Sequence, residues 1–281
     1  MRYALLVLEQ PWSRISDDPR QSSVRPFLEG FAALNSMPVY YATYFDGQSF
    51  DKALQYLLDA HHLKSVDKVI LYVAGHGKGA RLGGDFGRAM NLGPLFRRLE
   101  KYGKNRIAGL VLDSCELGMN ENLIPAAMKQ VRLSWMVAYG ASMDWMSSML
   151  INLNLLQHLC QIKTSQLDDK DELLTAVQGG LDLFNPRHVV EILDAFPEEM
   201  EVDEGELPAE GEDEDWQEEE GNESEENEAD ADDEVAEITL GEGLTIALRY
   251  RRESGRFRTK ILSETERWPA LVDEDEAEDE A

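Results

Sequence analysis

Two short stretches of this sequence carry residue types with reactive chemistry, Gly75-His76-Gly77 and Asp113-Ser114-Cys115. Each follows an apolar run, V-I-L-Y-V-A before the first and I-A-G-L-V-L before the second. A thiol near its free pKa is mostly protonated at neutral pH, and an imidazole held beside it takes or offsets that proton. The thiolate then attacks a carbonyl carbon, and positioned donors stabilise the charge forming on the oxygen. The backbone N–H groups of Gly77 and Cys115 are the candidate donors, and glycine at 77 admits a close approach of substrate.

Each feature alone has an ordinary explanation. A lone cysteine at a strand end is commonly a small buried hydrophobe, and glycines around a histidine make a tight turn. The two apolar runs ending in H-G and then D-S-C, in that order, point to a nucleophile and its base. Other motifs fit poorly. A nucleophile elbow wants glycines two residues either side of the nucleophile, where this chain has Asp113 and Leu117, and it places its histidine last. In GHGKG, Lys78 is followed by Gly79 in place of Ser or Thr, which argues against a P-loop. Neither CxxC nor HExxH supports a zinc site, and no other cofactor is expected.

These residues need strands to hold them. Short β-branched and apolar runs alternate with helix-period segments, the pattern of βαβ units and a mostly parallel sheet. Strands are predicted at Tyr3 to Leu8, Val39 to Phe45, Lys68 to Ala74, Ala108 to Leu112 and Ser134 to Tyr139. Helices are predicted at Pro26 to Leu34, Phe50 to His61, Leu92 to Tyr102 with Gly103 as C-cap, and Glu121 to Val131. Further helices fall at Ser147 to Gln161, Asp171 to Leu183 and Arg187 to Ala195, the last opened by Asn185-Pro186. In a parallel sheet, functional groups gather at the carboxyl ends of strands. If the strands before His76 and Cys115 are neighbours, imidazole and thiol share one crevice.

The two strand-end motifs resemble those of the caspase-like clan of cysteine peptidases, which includes caspases, metacaspases and CHAT-domain proteins. The stretch V-A-Y-G-A-S-M-D-W, Val137 to Trp145, looks like the strand, loop and Trp that follow the cysteine in CHAT-type members. The resemblance covers roughly residues 1 to 160. It implies an α/β, caspase-like three-layer sandwich, with His76 as general base, Cys115 as nucleophile, and Gly77 N–H in the oxyanion hole. Glu116-Leu117-Gly118 departs from the His-Ser-Gly that metacaspases usually show after the cysteine. CHAT-type relatives often act in prokaryotic defence or signalling, each with a dedicated protein substrate and an upstream activator, and the resemblance implies that role here.

Asp113 stands two residues before the cysteine, where the clan lines its S1 pocket and metacaspases carry an acid. A carboxylate there pairs with a P1 Arg or Lys and repels Asp. The plainer reading of Asp113 is a cap on the turn after the strand. Asp144 and Glu9 are weaker candidates for the same pocket. His61, His62, His158 and Cys160 lack spaced partners, and Trp145 with Met143, Met146 and Met149 reads as packing beneath the loop.

The formal net charge of −28 is unevenly spread along the 281 residues. Residues 198 to 237 hold 23 acids and no Lys or Arg, and residues 273 to 281 hold seven more. Without those 30, the remaining 25 acids face 27 Lys and Arg, so the body is close to neutral. Too charged to fold alone, the long run reads as a disordered insertion over 198 to 235, either a tether or a regulatory cover. Trp216 lies alone within it. The catalytic domain then spans 1 to 197 and is completed by strands over 236 to 272, ahead of an acidic tail, 273 to 281. Those strands are Ala236 to Leu240, Leu244 to Tyr250 and Phe257 to Leu262, the last two forming a β-hairpin around Glu253-Ser254-Gly255 that adds to the sheet edge.

The composition argues against nucleic acid as a partner, since phosphate binding needs a clustered basic face. The one basic cluster in sequence, Arg249 to Arg258 with Lys260, sits between the acidic runs, which can screen it or dock on it. Two cysteines make no disulfide framework and suit a reducing compartment, so the cytoplasm is expected. The N-terminus reads as a strand and not a signal peptide, and no stretch suits a bilayer. Oligomeric state is not legible. Two non-enzymatic readings stand beside the protease. One is a silent caspase-like module whose acidic segments bind a partner, which the presence of both His76 and Cys115 opposes. The other, a chaperone or nucleic-acid mimic, rests on composition alone.

Overall fold

A computed structural model describes residues 3–12, 23–59, 63, 65–83, 89–120, 123–143, 145–181, 244–251 and 257–263. Outside those residues lie the helix expected at 187 to 195, the strand at 236 to 240, the hairpin turn, both acidic segments, and Asp144.

The described chain is an α/β three-layer sandwich around a seven-stranded sheet. In chain order it runs β1 (Tyr3–Glu9), α1 (Arg25–Leu34), β2 (Val39–Thr43), α2 (Gly47–Asp59) and β3 (Lys68–Ala74). Three two-residue strands follow, β4 (Gly77–Lys78), β5 (Arg81–Leu82) and β6 (Met90–Asn91), then α3 (Leu92–Gly103) and β7 (Ile107–Asp113). A 3-10 turn at Leu117–Met119 leads to α4 (Leu123–Val131), β8 (Trp135–Tyr139), α5 (Trp145–Leu159) and α6 (Lys170–Leu181). The hairpin β9 (Leu244–Arg251) and β10 (Phe257–Ser263) closes the described chain. The sheet order is β10-β9-β8-β7-β3-β1-β2. Strands β2, β1, β3, β7 and β8 are parallel, and β9 and β10 are antiparallel additions beside β8.

Period-two alternation sorts the strand residues onto two faces. Leu5, Val7, Ile70, Tyr72, Val137 and Ile246 pack on the face covered by α1, α5 and α6. Leu6, Leu8, Leu71, Val73, Met136 and Ala138 pack on the face covered by α2, α3 and α4. With both faces covered, the central strands read as continuous apolar runs. The hairpin takes the edge position expected of it, and its Leu244, Ile246 and Leu248 are buried in the first core.

One local feature departs from regular pairing. Val69 pairs with Ile107 but Ile70 pairs with Gly109, so β7 carries one extra residue, a β-bulge. The bulge needs glycine, because a Cβ at 109 would lie 2.0 Å from the Trp135 ring. The extra residue resets the alternation: Ile107 faces α2, α3 and α4, Ala108 the opposite layer, and Leu110 the α2, α3 and α4 layer again. As a result Val111 and then Asp113 lie on the α5 side.

Gly103 ends α3 from within, with Lys104 following as the cap, which shifts the sequence-predicted boundary by one residue. The loop between His76 and α3 contains a small three-stranded sheet, β4-β5-β6.

Candidate active site

Four parallel strands end together, and each contributes to one crevice. β1 delivers Glu9, Gln10 and Trp12; β3 delivers His76 and Gly77; β7 delivers Asp113 to Cys115; β8 delivers the loop through Ser142 and Met143. β3 and β7 are direct neighbours, with Ala74 opposite Asp113, and the Gly75 N–H donates to the Asp113 carbonyl at 3.3 Å. Beyond that pair, the chain at Gly77 lies against Cys115 so closely that a Cβ at 77 would sit 2.3 Å from the Cys115 carbonyl oxygen. The topology therefore brings the backbones bearing His76 and Cys115 together.

His76 is solvent-exposed, and its Nε2 lies 3.1 Å from the carbonyl oxygen of Trp12. A carbonyl only accepts, so this bond places the proton of a neutral imidazole on Nε2 and leaves Nδ1 as the basic nitrogen. The Trp12 ring stands edge-on to the imidazole, with centroids 5.1 Å apart at 72°. Trp12 is held in turn, its Nε1–H donating to Glu9 Oε1 at 2.9 Å.

Glu9 is almost fully buried and accepts four bonds. Oε1 also takes the Val24 N–H at 2.9 Å, while Oε2 takes the hydroxyls of Ser23 at 2.7 Å and Tyr41 at 2.6 Å. Four donors saturate a carboxylate. Glu9, considered above for the substrate pocket, is thus an anchor for Trp12 and for the start of α1.

Cys115 is partly buried, and its Sγ accepts the Met143 N–H at 3.4 Å. The Ser142 hydroxyl stands 3.9 Å from the same sulfur. The following residue, Glu116, sits in the left-handed region at φ 62°. Its Oε2 accepts the Gly79 N–H at 2.8 Å, while Asn120 Nδ2 donates to the Gly79 carbonyl at 3.0 Å. Glu116, one of the residues that depart from the metacaspase pattern, and Asn120 therefore tie the cysteine loop to the histidine loop. Thr245 of β9 supports the same region, its hydroxyl reaching the Gly118 carbonyl at 3.4 Å.

Asp113 is buried, and its carboxylate points across the sheet toward α5. The Tyr72 hydroxyl donates to Oδ2 at 2.7 Å. Asn152 Nδ2 donates to Tyr72 at 2.9 Å, and Tyr139 donates to Asn152 Oδ1 at 2.8 Å. Burial pushes the Asp113 carboxyl up to about 6, against bonds from Tyr72, Ser148 and Asn152 that favour the ion. Burial, with Asp113 nearby, likewise drives Tyr72 and Tyr139 far above the ordinary tyrosine range.

Trp12, Gln10, Glu116 and Met143 were not singled out in sequence for this crevice. They reach it through loop paths and backbone groups, which residue type does not reveal. Glu9 ends β1 and Trp12 lies just past it, as the carboxyl-end rule would suggest, but the partners of Glu9 also come from distant segments. Among the described residues there is no cluster of three or more His, Cys, Asp or Glu with metal-binding geometry, and no helix is long and apolar enough to cross a membrane.

The architecture is α/β with a mostly parallel central sheet, and the crevice at its carboxyl end carries an imidazole and a thiol. No protein-family model and no curated protein sequence matches the chain. A structural match is found to a secreted C11 cysteine protease from Bacteroides thetaiotaomicron, solved in complex with an irreversible peptide inhibitor. It has a TM-score of 0.38 and 9% identity, and covers 64% of this chain and 58% of that one.

Proposed function

We propose that this chain is a caspase-like cysteine endopeptidase with His76 and Cys115 as its dyad. The observation that carries the proposal is the placement of both residues just beyond adjacent strands, with the Gly77 backbone against Cys115. His76 Nδ1, basic because Nε2 is held by the Trp12 carbonyl, takes the thiol proton. The thiolate attacks the scissile carbonyl, and the Gly77 and Cys115 N–H groups stabilise the oxyanion. Collapse returns the proton to the departing amine and leaves a thioester on Cys115. Water, deprotonated by His76, then attacks that thioester, and the acid product leaves as the thiol is restored.

Asp113 supplies the charge at the base of S1, so cleavage follows Arg or Lys. Asp144 is a second candidate for that pocket. The substrate is a dedicated protein, in a prokaryotic defence or signalling cascade with an upstream activator, and the acidic insertion restrains the enzyme. Because residues 198 to 237 contain no Lys or Arg, self-processing falls at flanking sites such as Arg187 or Arg249 to Arg252.

A peptide electrophile directed at thiols, carrying Arg at P1, tests the core of this reading. Covalent labelling is expected in the native chain and not in Cys115→Ala, and a chain that labels equally after the substitution is no Cys115 protease. Turnover after Asp at or above the rate after Arg overturns the pocket assignment. Deleting 198–237 is expected to raise turnover, and an unchanged rate reduces the segment to a tether.

A further inference from the structure

The parallel strands have a second end, opposite the crevice, where the chain makes a groove of about 930 Å³. Six cations line it: Lys68 at the start of β3, Lys104 after α3, Lys129 on α4, Arg132 before β8, and Arg249 and Arg251 near the end of β9. Among the described residues two carboxylates share the lining, Glu100 and Asp168, and both are engaged. Glu100 pairs with Lys104 at 2.6 Å and accepts from Gln130, while Asp168 pairs with Arg251 at 3.4 Å.

Three of the other four cations rest on neutral groups among the described residues. Lys68 Nζ donates to the Asn105 carbonyl, and an Arg132 N–H to the Asn105 side chain at 3.0 Å. The Arg249 guanidinium lies 3.8 Å from the centre of the Phe257 ring. Burial lowers the Arg249 pKa, Asp168 opposes that, and Arg132 and Arg251 lower it further. Like charges held together in a half-buried groove await an anion. The cations come from four separate segments of the chain, so sequence shows only the pairs 129/132 and 249/251 and not their meeting.

We propose that this groove is the docking site for the chain's own acidic stretch, residues 198 to 237. Charge complementarity argues for it, since 23 acids with no Lys or Arg face a groove with surplus positive charge. Reach argues for it too. β9 begins beside the last residue of β8, at the crevice end, so the segment re-enters the sheet one strand length from the groove. That length is roughly 23 Å for seven residues, and an extended chain covers up to ~3.5 Å per residue, so the residues before Leu244 span it. Covalent linkage also gives this occupant an effective concentration near the millimolar range, ahead of any diffusing polyanion. The proposal does not depend on the dyad, because the groove lies at the opposite end of the sheet.

Digestion of the full chain by a glutamate-specific endopeptidase tests it. At low ionic strength, cleavage within 198–237 is expected to be about tenfold slower than in a Lys129→Glu, Arg132→Glu double variant, and high salt is expected to erase the difference. Lys129 and Arg132 are exposed, so the variant is expected to keep the wild-type circular dichroism and melting temperature. If it does not, a fluorescent 198–237 peptide added to the chain lacking that segment is the deciding measurement. Salt-sensitive binding there, at least about tenfold weaker to the full chain, supports docking in cis. Equal cleavage in both proteins at low salt overturns the proposal. So does protection that grows with protein concentration, which marks docking between copies. Binding of a single-stranded oligonucleotide to the full chain as tightly as to the deletion also overturns it, since the groove would then be an open nucleic-acid face.

Discussion

Cys115 and Cys160 are the two thiols of this chain, and their surroundings separate them. Cys160 sits just after α5, where burial pushes its thiol up to about 11, so it is unreactive at neutral pH. Cys115 stands at the crevice, with the Met143 N–H donating to its sulfur. Replacing Cys115 with Ala is expected to lower peptide turnover by at least about 10⁴-fold with an unchanged melting temperature, whereas Cys160→Ala retains turnover. Asp113 carries a further expectation. Its carboxyl, held at about 6 against an ordinary 3.8, binds a proton in the folded chain that the unfolded chain has released. The folded state therefore gains from this group below pH 4 and loses that gain as pH rises through about 6, roughly 3 kcal/mol in all. Asp113→Asn is expected to flatten this slope, melting higher than wild type at pH 7.5 and not at pH 4. It should also remove the preference for Arg or Lys at P1. A slope that persists in the variant assigns the titration elsewhere.

Between residues and the whole chain stand the loops that seat His76 and Cys115. Gly77 is there because any side chain would strike the Cys115 backbone, and backbone yields less readily than a flexible side chain. Gly77→Ala is expected to lower kcat/KM about a hundredfold by shifting the two strand ends apart, with little loss of secondary structure by circular dichroism. The clamp of Glu116 and Asn120 on the Gly79 peptide acts on the same spacing. Glu116→Gln can still accept the Gly79 N–H, so it is expected to keep most of the activity that Glu116→Ala loses.

The hairpin β9–β10 belongs to the domain although a long stretch of sequence separates it from α6. Its Leu244, Ile246, Leu248 and Tyr250 are buried, at about 1.5–3 kcal/mol for each large aliphatic side chain. Their sum is comparable to the whole stability of a typical domain, about 5–15 kcal/mol. A chain ending before Leu244 also leaves the β8 edge unpaired. Such a truncation is expected to be insoluble. A nick anywhere in 182–243 is instead expected to leave two fragments that co-elute in gel filtration, and fragments that separate without denaturant would contradict the pairing.

Much of this was legible in the chain before any coordinates. Apolar runs of strand length placed β1, β3 and β8 to within a residue, because strands covered on both faces are continuous and end abruptly, in polar Glu9-Gln10 at the end of β1 and in Gly75 and Gly140 after β3 and β8. The order of His76 and Cys115 after two such runs marked the crevice for the same reason. Side-chain direction and long-range pairing were not legible. The extra residue in β7 turns Asp113 toward Tyr72 and α5, and beside it Gly109 leaves room for the Trp135 ring from a neighbouring strand. Likewise the Trp12 carbonyl reaches His76 beside a Glu9 that gathers Ser23, Val24 and Tyr41, and the cations of the far groove meet only when four segments fold together. Local pattern records which residues are apolar and where strands stop. Register, backbone contacts and the meeting of distant charges depend on packing among segments far apart in sequence, where no local pattern holds them.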